Sequence, residues 1–174
     1  MIMGIGIPGA GKTTTLKPFA EEYSYVYICP DDIRTEMNGN SLDQSNMREV
    51  WEEARRRVAE NLERGETVVF DATFARDNER KNFIQFARDH GAGKVQGVFA
   101  AVSYEIANER NNARERVVPE HAMERMHRML KNNPPILEDG FDSVFDMNEF
   151  QELTRAEKMN EDEVLTREFK PKIR

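Results

Sequence analysis

The chain has 174 residues, of which 33% are charged, and carries a formal net charge of −7 at neutral pH. That length predicts one domain, large enough to bury about two-thirds of its unfolded surface, and the acidic balance argues against broad, non-specific attraction to nucleic acid. No apolar run reaches the roughly 18 residues of a membrane span, and no signal-peptide pattern precedes the first motif. We therefore expect a soluble, cytoplasmic protein with no membrane partner.

The negative charge is concentrated towards the carboxyl end. Residues 138–174 contain 11 acidic and 6 basic side chains, which leaves the rest of the chain close to neutral. The preceding part can therefore still present a local basic groove to an anionic ligand. Cys29 is the only cysteine. Because it ends an apolar run, we interpret it as a buried strand residue rather than as a catalytic thiol.

Short apolar runs alternate with helical patterns along the chain, which predicts a parallel sheet flanked by helices. The predicted strands are Met1 to Gly6, Tyr25 to Cys29, Thr67 to Asp71, Val95 to Val102 and Ser143 to Met147. The predicted helices are Lys12 to Glu22, Asn46 to Arg64, Asp77 to His90, Ser103 to Arg110 and Pro119 to Leu130. The fold class is thus α/β, a three-layer sandwich with about five parallel strands. Its domain is expected over residues 1–148, followed by an acidic helical extension or tail over residues 149–174.

A polar, basic stretch from Asn111 to Val118 lies between the last two predicted helices and has no apolar period. Such a segment beside a ligand crevice is typical of a lid. We therefore expect a helical lid that closes over whatever the domain binds.

The first motif is a phosphate-binding loop of the pattern G-x-x-x-x-G-K-[ST], which runs from Gly6 to Thr13 between the first strand and the first helix. Its backbone N–H groups and the start of the helix form an anion site for a nucleoside triphosphate, ATP or another NTP. Lys12 is expected to reach the β- and γ-phosphates, and Thr13 to offer its hydroxyl to Mg²⁺. The predicted nucleotide-binding residues are Gly9, Ala10, Gly11, Lys12, Thr13, Thr14 and, from the lid helix, Arg110.

Ligands of an open parallel sheet gather beyond the carboxyl ends of the strands. After the second, third and fourth strands this chain places polar residues: Asp31, Asp32 and Arg34; Asp71 and Thr73; and Arg110, Asn111, Arg114 and Arg116. Phosphoryl transfer needs a carboxylate to accept the hydroxyl proton and cations to balance charge, and both are present. Adjacent Asp31 and Asp32 point in different directions if they begin a helix. One then faces the acceptor while the other caps the helix or meets a cation.

These motifs, in this order, resemble the kinase domain of bacteriophage-type polynucleotide 5′-hydroxyl kinases, which are P-loop kinases. The resemblance covers about residues 1–130 and rests on Gly-Ile-Pro-Gly-Ala-Gly-Lys-Thr, Pro-Asp-Asp-Ile-Arg, Asp-Ala-Thr, and Arg-Asn-x-x-Arg followed by Val-Val-Pro. It implies transfer of the γ-phosphate of ATP to the 5′-hydroxyl end of DNA or RNA, so that nucleic-acid 5′ ends are the expected partner. No protein partner is evident, and the number of subunits stays open.

The resemblance also implies roles for individual residues. Asp31 would be the general base, with Lys12 and the lid residue Arg114 as the other catalytic residues. The metal would lie at Thr13 and Asp31. The acceptor would be bound by Arg34, at the phosphate 3′ to the accepting nucleoside, and by Asp71, Thr73 and Val118, the last against the terminal base.

Two features depart from the family pattern on the acceptor side. Pro30 precedes Asp31 where a polar or basic residue is expected, and the spacing after Asp71 differs. Val144 to Asn148 only faintly resembles the start of a phosphatase motif: Asn148 replaces its second carboxylate and no Gly-Thr follows. We interpret Asp146 as structural and predict no phosphatase activity.

Two alternatives stay open from the sequence. One keeps the reaction and changes the acceptor to a nucleoside, a hydroxymethylated pyrimidine within DNA, or another small alcohol. The other is a nucleotide-dependent switch or toxin-like module. The acidic net charge favours a small acceptor, whereas Arg34 and the lid arginines favour a polymer.

Overall fold

The computed structural model describes residues 1–39 and 45–156. Its strands are β1 Ile2–Ile5, β2 Val26–Ile28, β3 Val68–Asp71, β4 Gln96–Phe99 and β5 Ser143–Asp146. They form one sheet in the order β2-β3-β1-β4-β5, with every neighbouring pair parallel. The predicted α/β fold with a five-stranded parallel sheet is therefore confirmed.

Helices connect the strands and extend beyond the last one. They are α1 Lys12–Glu22, α2 Pro30–Asn38, α3 Met47–Glu63, α4 Asp77–Asp89, α5 Tyr104–Asn112 and α6 Glu120–Asn132, with a 3₁₀ turn at Leu137–Asp139. A last helix, α7, covers residues 147–156, up to the end of the described chain. Among the described residues, none of these helices is both long and apolar enough to cross a membrane.

The sheet has a buried core on each face because alternate strand residues point to opposite sides. On one face Met3 and Ile5 join a large cluster that includes Val50, Ala54 and Val58 of α3. On the other face the residues packed together are Ile2, Val69, Val98, Leu16, Ala20 and Phe150. Helices therefore cover both faces, and the carboxyl ends of the strands are left to form a crevice.

The fourth strand is shorter than predicted. The prediction ran to Val102 because the apolar run continues that far, but β4 ends at Phe99. The backbone then bends: the N–H of Ala101 donates to the Phe99 carbonyl, and that of Val102 to the Ala100 carbonyl. These short-range hydrogen bonds replace sheet pairing, so the apolar residues after Phe99 lie outside the strand.

The lid and the extension also differ from the sequence boundaries. Helix α5 continues through Asn111 and Asn112, so the segment between α5 and α6 begins at Ala113. The predicted extension, residues 149–174, is described only to residue 156; residues 157–174 lie outside the described residues. In the described part, the buried Phe150 packs edge-on against Phe19 of α1, with ring centroids 4.8 Å apart.

Candidate active site

The phosphate-binding loop follows β1 and turns tightly into α1. Gly9 and Gly11 have φ angles of 78° and 92°, in the left-handed region that favours glycine. Gly9 also packs against the lid helix α5, where a Cβ would collide with the carbonyl oxygen of Ala107. The loop and the lid helix are thus in direct backbone contact, and only glycine fits between them.

Lys12 is held against its own loop. Its Nζ donates to the carbonyl oxygens of Gly6 at 2.8 Å and Ile7 at 3.1 Å. The side chain is buried, and this burial lowers the pKa of its ammonium group. A desolvated cation gains strongly from pairing with an anion. Lys12 is therefore suited to bind phosphate oxygens, and that role stays a prediction.

Thr13, Tyr27 and Asp71 form a hydrogen-bonded group below the loop. The Thr13 hydroxyl donates to Oδ2 of Asp71 at 2.6 Å, and the Tyr27 hydroxyl donates to the same oxygen at 2.7 Å. Burial, followed by the Asp71 charge, raises the pKa of Tyr27, which keeps it a neutral donor. A hydroxyl beside a carboxylate is the kind of oxygen-ligand set that Mg²⁺ accepts together with phosphate oxygens.

The carboxylate beside Thr13 is Asp71, which the sequence analysis assigned to the acceptor side. Asp31 was expected to share the metal with Thr13, but the described contacts of its carboxylate are with arginines. The metal-binding role of Asp31 therefore stays a prediction. The carboxylate that contacts the Thr13 hydroxyl, the expected metal ligand, is that of Asp71. The sequence did not predict the contact of Tyr27 with Asp71.

Three arginines surround Asp31 at the start of α2. Nη2 of Arg34 lies 2.8 Å from Oδ1, Nη1 of Arg116 lies 3.3 Å from the same oxygen, and Nη2 of Arg114 lies 3.8 Å from Oδ2. Arg34 stands one helical turn after Asp31, as predicted from the spacing. Its Nε also donates to Sδ of Met47, at 3.2 Å. The lid arginines thus reach the predicted base directly.

The neighbouring Asp32 has a different environment. It forms an exposed ion pair with Lys17 of α1, with 3.6 Å between Oδ2 and Nζ. The helix begins at Pro30, whose fixed φ and missing N–H suit a first helical position, and no side-chain hydrogen bond caps it. The two aspartates therefore diverge, as predicted, and Asp32 meets a cation.

One cavity of about 1190 Å³ joins these groups at the carboxyl edge of the sheet. Every residue predicted for the site lines it: Gly9, Ala10, Gly11, Lys12, Thr13, Thr14, Asp31, Arg34, Asp71, Thr73, Arg110, Arg114 and Val118. Apolar and amide side chains that were not predicted for the site also line it: Met47, Trp51, Ala122, Met126, Asn148 and Gln151. Helices α3, α6 and α7 therefore complete a site whose chemistry comes from the strand ends.

Charge in the cavity is opposite to that of the whole chain. Its described lining contains five basic residues and three acidic ones, Asp31, Asp71 and Asp146, whereas the chain carries −7. A crevice lined by excess positive charge concentrates anionic ligands. The local basic groove anticipated from the charge distribution is therefore present.

Asn111 fixes the path of the lid segment. Its side chain is fully buried, its Nδ2 donates to the Val118 carbonyl at 2.9 Å, and its Oδ1 accepts from the Val118 N–H at 3.1 Å. This pair of bonds closes the loop that carries Arg114 and Arg116. It also holds Val118 at the cavity wall.

Two more residues that line the cavity have structural contacts. Oδ1 of Asp146 accepts from the N–H groups of Asn148 and Glu149, at 2.8 and 2.9 Å, and so caps the start of α7. Nε2 of Gln151 donates to the Thr15 hydroxyl at 3.2 Å, which joins α7 to α1. The capping role agrees with the structural interpretation of Asp146.

A phosphate-binding loop, a buried lysine and an arginine-bearing lid on a five-stranded parallel sheet define a P-loop domain of the kinase type. The family model described as an AAA domain (AAA_33) matches residues 1–132. Because this is more than half of the chain, the protein belongs to that family. The chain is therefore a P-loop nucleotide-binding domain with the fold of a phosphotransferase.

Solved structures share the fold at low sequence identity. A chain of the Pnkp1/Rnl/Hen1 RNA repair complex superposes with a TM-score of 0.67 and 20% identity, over 81% of this chain and 45% of that one. A candidate kinase from Chloroflexus aurantiacus gives 0.64 and 16%, over 83% and 86%. Shikimate kinase from Bacteroides thetaiotaomicron gives 0.58 and 19%, over 92% and 97%.

Proposed function

We propose that this protein is an ATP-dependent polynucleotide kinase, which transfers the γ-phosphate of ATP to the 5′-hydroxyl end of DNA or RNA. The observation that carries the proposal is the position of Asp31: a carboxylate among arginines, in the same cavity as Lys12 and Thr13 of the phosphate-binding loop. A carboxylate there can accept a proton from an alcohol that faces the γ-phosphate. A protein that only binds nucleotide has no need of this acceptor side.

In the proposed reaction the 5′-oxygen of the acceptor forms a bond to the γ-phosphorus. The bond from that phosphorus to the bridging oxygen of ADP breaks, and Asp31 receives the hydroxyl proton. Lys12 and Arg114 balance the charge that spreads over the transferring group. Thr13 and Asp71 would hold Mg²⁺, which supplies further charge neutralisation at the phosphates when bound.

Two features support a polymer acceptor over a small alcohol. Arg34 is buried beside Asp31 and lines the cavity, where a phosphate next to the accepting hydroxyl would meet it. The positive excess of the lining fits a nucleic-acid end better than a neutral alcohol. A relative in an RNA repair complex is consistent with this choice.

A second candidate is a kinase of a small alcohol. It is favoured by the likeness to shikimate kinase, which covers 92% of this chain and 97% of that one, so that the two chains are similar in extent. A gluconokinase from Sinorhizobium meliloti also superposes, with a TM-score of 0.54. In this alternative Asp31 would keep its role and the arginines would bind a carboxylate of the acceptor.

The deciding experiment is a transfer assay with γ-labelled ATP and a panel of acceptors: a 5′-hydroxyl DNA oligonucleotide, the matching RNA, a nucleoside, shikimate and gluconate. We expect label on the oligonucleotides. The same oligonucleotides with a 5′-phosphate serve as the control and should stay unlabelled. Label only on the small alcohols would overturn the polymer acceptor, and label on no acceptor would support a nucleotide-dependent switch instead.

A further inference from the structure

Tyr27 reaches the predicted metal site from the edge of the sheet. Its hydroxyl donates to Oδ2 of Asp71 at 2.7 Å, and the Thr13 hydroxyl donates to the same oxygen at 2.6 Å. We propose that Tyr27 is a positioning residue, which holds the Asp71 carboxylate and the Thr13 hydroxyl in the arrangement that Mg²⁺ needs beside a bound triphosphate. The inference rests on the nucleotide and metal of the proposed function and does not depend on its acceptor.

The register of the sheet explains why this contact needs a side chain as long as tyrosine. Strand β2 is an edge strand that pairs with β3, and Tyr27 lies opposite Val69. Asp71 follows Val69 by two residues, so it lies on the same face of the sheet and about 6–7 Å further along the strand. The tyrosine ring covers that distance. A serine or threonine at position 27 would place its hydroxyl near Val69, too far from Asp71 to bond.

The contact lies on the face of the sheet that α1 covers, where the ring of Tyr27 has fixed neighbours. Tyr27 packs on the cluster that contains Val69 of β3 and Leu16 of α1. Nζ of Lys17, also on α1, lies 5.6 Å from the centroid of the Tyr27 ring, within the range of a cation–π contact. Packing and this contact hold the ring in place, so its hydroxyl has a defined position at Asp71.

Both hydroxyl donors end on one oxygen of the Asp71 carboxylate. An ionised carboxylate only accepts hydrogen bonds, so Thr13 and Tyr27 each supply a proton. Within residues 1–39 and 45–156, the hydrogen bonds to Asp71 both end on Oδ2, which leaves Oδ1 to a metal ion or to water bound to one. Because Thr13 gives its proton to Asp71, the lone pairs of its own oxygen are likewise available to the metal.

The burial of Asp71 makes the loss of one donor consequential. Asp71 is only 4% exposed, so water replaces a lost donor poorly, and hydrogen bonds to charged groups are stronger than those between neutral groups. Mg²⁺ requires nearly ideal octahedral geometry, so a small rotation of the carboxylate weakens its binding. Tyr27 is not among the described residues that line the cavity. It therefore acts on the metal through Asp71 and does not touch the nucleotide.

The test removes only the hydroxyl, with Tyr27→Phe, which keeps the ring and its packing. The dissociation constant of a non-hydrolysable ATP analogue is measured by calorimetry in excess Mg²⁺ and in EDTA. The constant in EDTA divided by the constant in Mg²⁺ gives the metal preference. Tyr25→Phe is the matched control, because Tyr25 packs on the same cluster but its hydroxyl is not one of the two that bond to Asp71.

We expect the wild type to bind the analogue more tightly with Mg²⁺ than in EDTA. Tyr27→Phe should lower that metal preference about 10- to 100-fold, as for other residues that orient metal ligands, with little change of the constant in EDTA. Tyr25→Phe should keep the preference. A preference that is unchanged in Tyr27→Phe, an equal loss of affinity with and without metal, or a wild type without any preference would overturn the inference.

A double-mutant cycle shows whether Tyr27 acts through Asp71. In the Asp71→Asn background, the added Tyr27→Phe change should lower the metal preference little further, because the two residues share one interaction. Losses that add independently would contradict the positioning role. Urea unfolding of each variant measures stability, and a less stable Tyr27→Phe with a full metal preference would make Tyr27 a structural residue only.

The outcome is separate from that of the transfer assay, because binding of the analogue needs no acceptor. Failure of transfer to every oligonucleotide, together with a metal preference that depends on Tyr27, would overturn the polynucleotide kinase and support the role of Tyr27.

Discussion

The hydroxyl of Thr13 donates to Oδ2 of Asp71 at 2.6 Å, so the phosphate-binding loop is tied to the end of β3 through one oxygen. The two residues are 58 positions apart in the chain, and the parallel pairing of β1 with β3 brings them together. On this contact we propose that Asp71 lies on the metal side of the proposed site. The assignment differs from the one drawn from the sequence and is open to a direct test.

Asp71→Asn keeps the shape of the side chain and removes its charge. We expect the Mg²⁺ concentration needed for half-maximal transfer to rise about 10- to 100-fold, as for other residues that support a metal site. The measurement is a Mg²⁺ titration of transfer to the acceptor identified by the panel assay. Asp89→Asn, an exposed change on α4, is the matched control. An unaltered titration curve in Asp71→Asn would remove this residue from the metal site.

Asp31→Asn tests the general base. We expect transfer to fall by about 10²- to 10⁴-fold, the usual contribution of such a group. ATP affinity should persist or increase, because the change removes a negative charge from a cavity that binds an anion. Single-turnover transfer and fluorescent-nucleotide binding measure the two effects. The control is Asp32→Asn, whose side chain is paired with Lys17 and does not line the cavity. Parallel losses of transfer and ATP affinity would contradict the assignment.

Gly9→Ala tests the contact between the phosphate-binding loop and the lid helix. Its φ of 78° disfavours any Cβ by about 1–2 kcal/mol, and the added carbon would collide with the Ala107 carbonyl. We expect nucleotide affinity to fall more than about tenfold, because the loop and α5 must separate. Gly93→Ala, at a position with open space and no strained φ, should bind normally. Normal binding by Gly9→Ala would show that the loop tolerates this separation.

Local sequence patterns were sufficient to predict the sheet, most helix boundaries and many of the polar residues that line the cavity. The spacing of its glycines, lysine and threonine identifies the phosphate-binding loop. Residues such as Asp31, Arg34 and Asp71 follow strands, so the topology of a parallel sheet brings them to one edge. These predictions succeeded because each depends on a few neighbouring residues and on one rule about strand ends.

Sequence patterns did not predict the contacts between distant elements. The bond from Tyr27 to Asp71 requires that β2 lie beside β3, and nothing in either strand encodes this neighbour. Likewise, α3 carries Met47 and Trp51 to the cavity wall, but their helical spacing signals only a buried face. Sequence patterns thus assigned residues to helices and strands. The packing of those helices and strands against one another determined which side chains are in contact.

The buried ion pair of Arg80 and Asp139 is another contact between distant elements. We expect its loss to lower the stability of the fold. Nε of Arg80 donates to Oδ2 of Asp139 at 2.6 Å, and both side chains are almost completely buried. Asp139→Asn leaves the arginine charge uncompensated, so we expect a loss of about 3–5 kcal/mol in the free energy of unfolding. Urea unfolding measures it.

An exposed ion pair provides the comparison for that prediction. Arg76 and Glu79 lie 2.8 Å apart in solvent, and Glu79→Gln should change stability by about 1 kcal/mol or less. Asp139 does not line the cavity, so the folded fraction of Asp139→Asn should bind nucleotide as the wild type does. A stability loss no larger than that of Glu79→Gln would mean that the buried pair contributes little.

Cys29, expected to be a buried strand residue, instead lies directly after β2 and is partly exposed. Its thiol lines the cavity but should still be unusually unreactive. Burial raises its pKa to about 12, and the thiolate, not the thiol, reacts with alkylating agents. At pH 8 we expect native Cys29 to react with iodoacetamide about a thousandfold more slowly than an unfolded thiol with a pKa near 8.5. The raised pKa favours the neutral thiol in the folded state, so its contribution to stability is present below the unfolded pKa and is lost as the pH rises towards 12. Mass spectrometry of labelling in native and urea-unfolded samples compares the rates. Native labelling within tenfold of the unfolded rate would show that the thiol ionises far more readily than its surroundings imply.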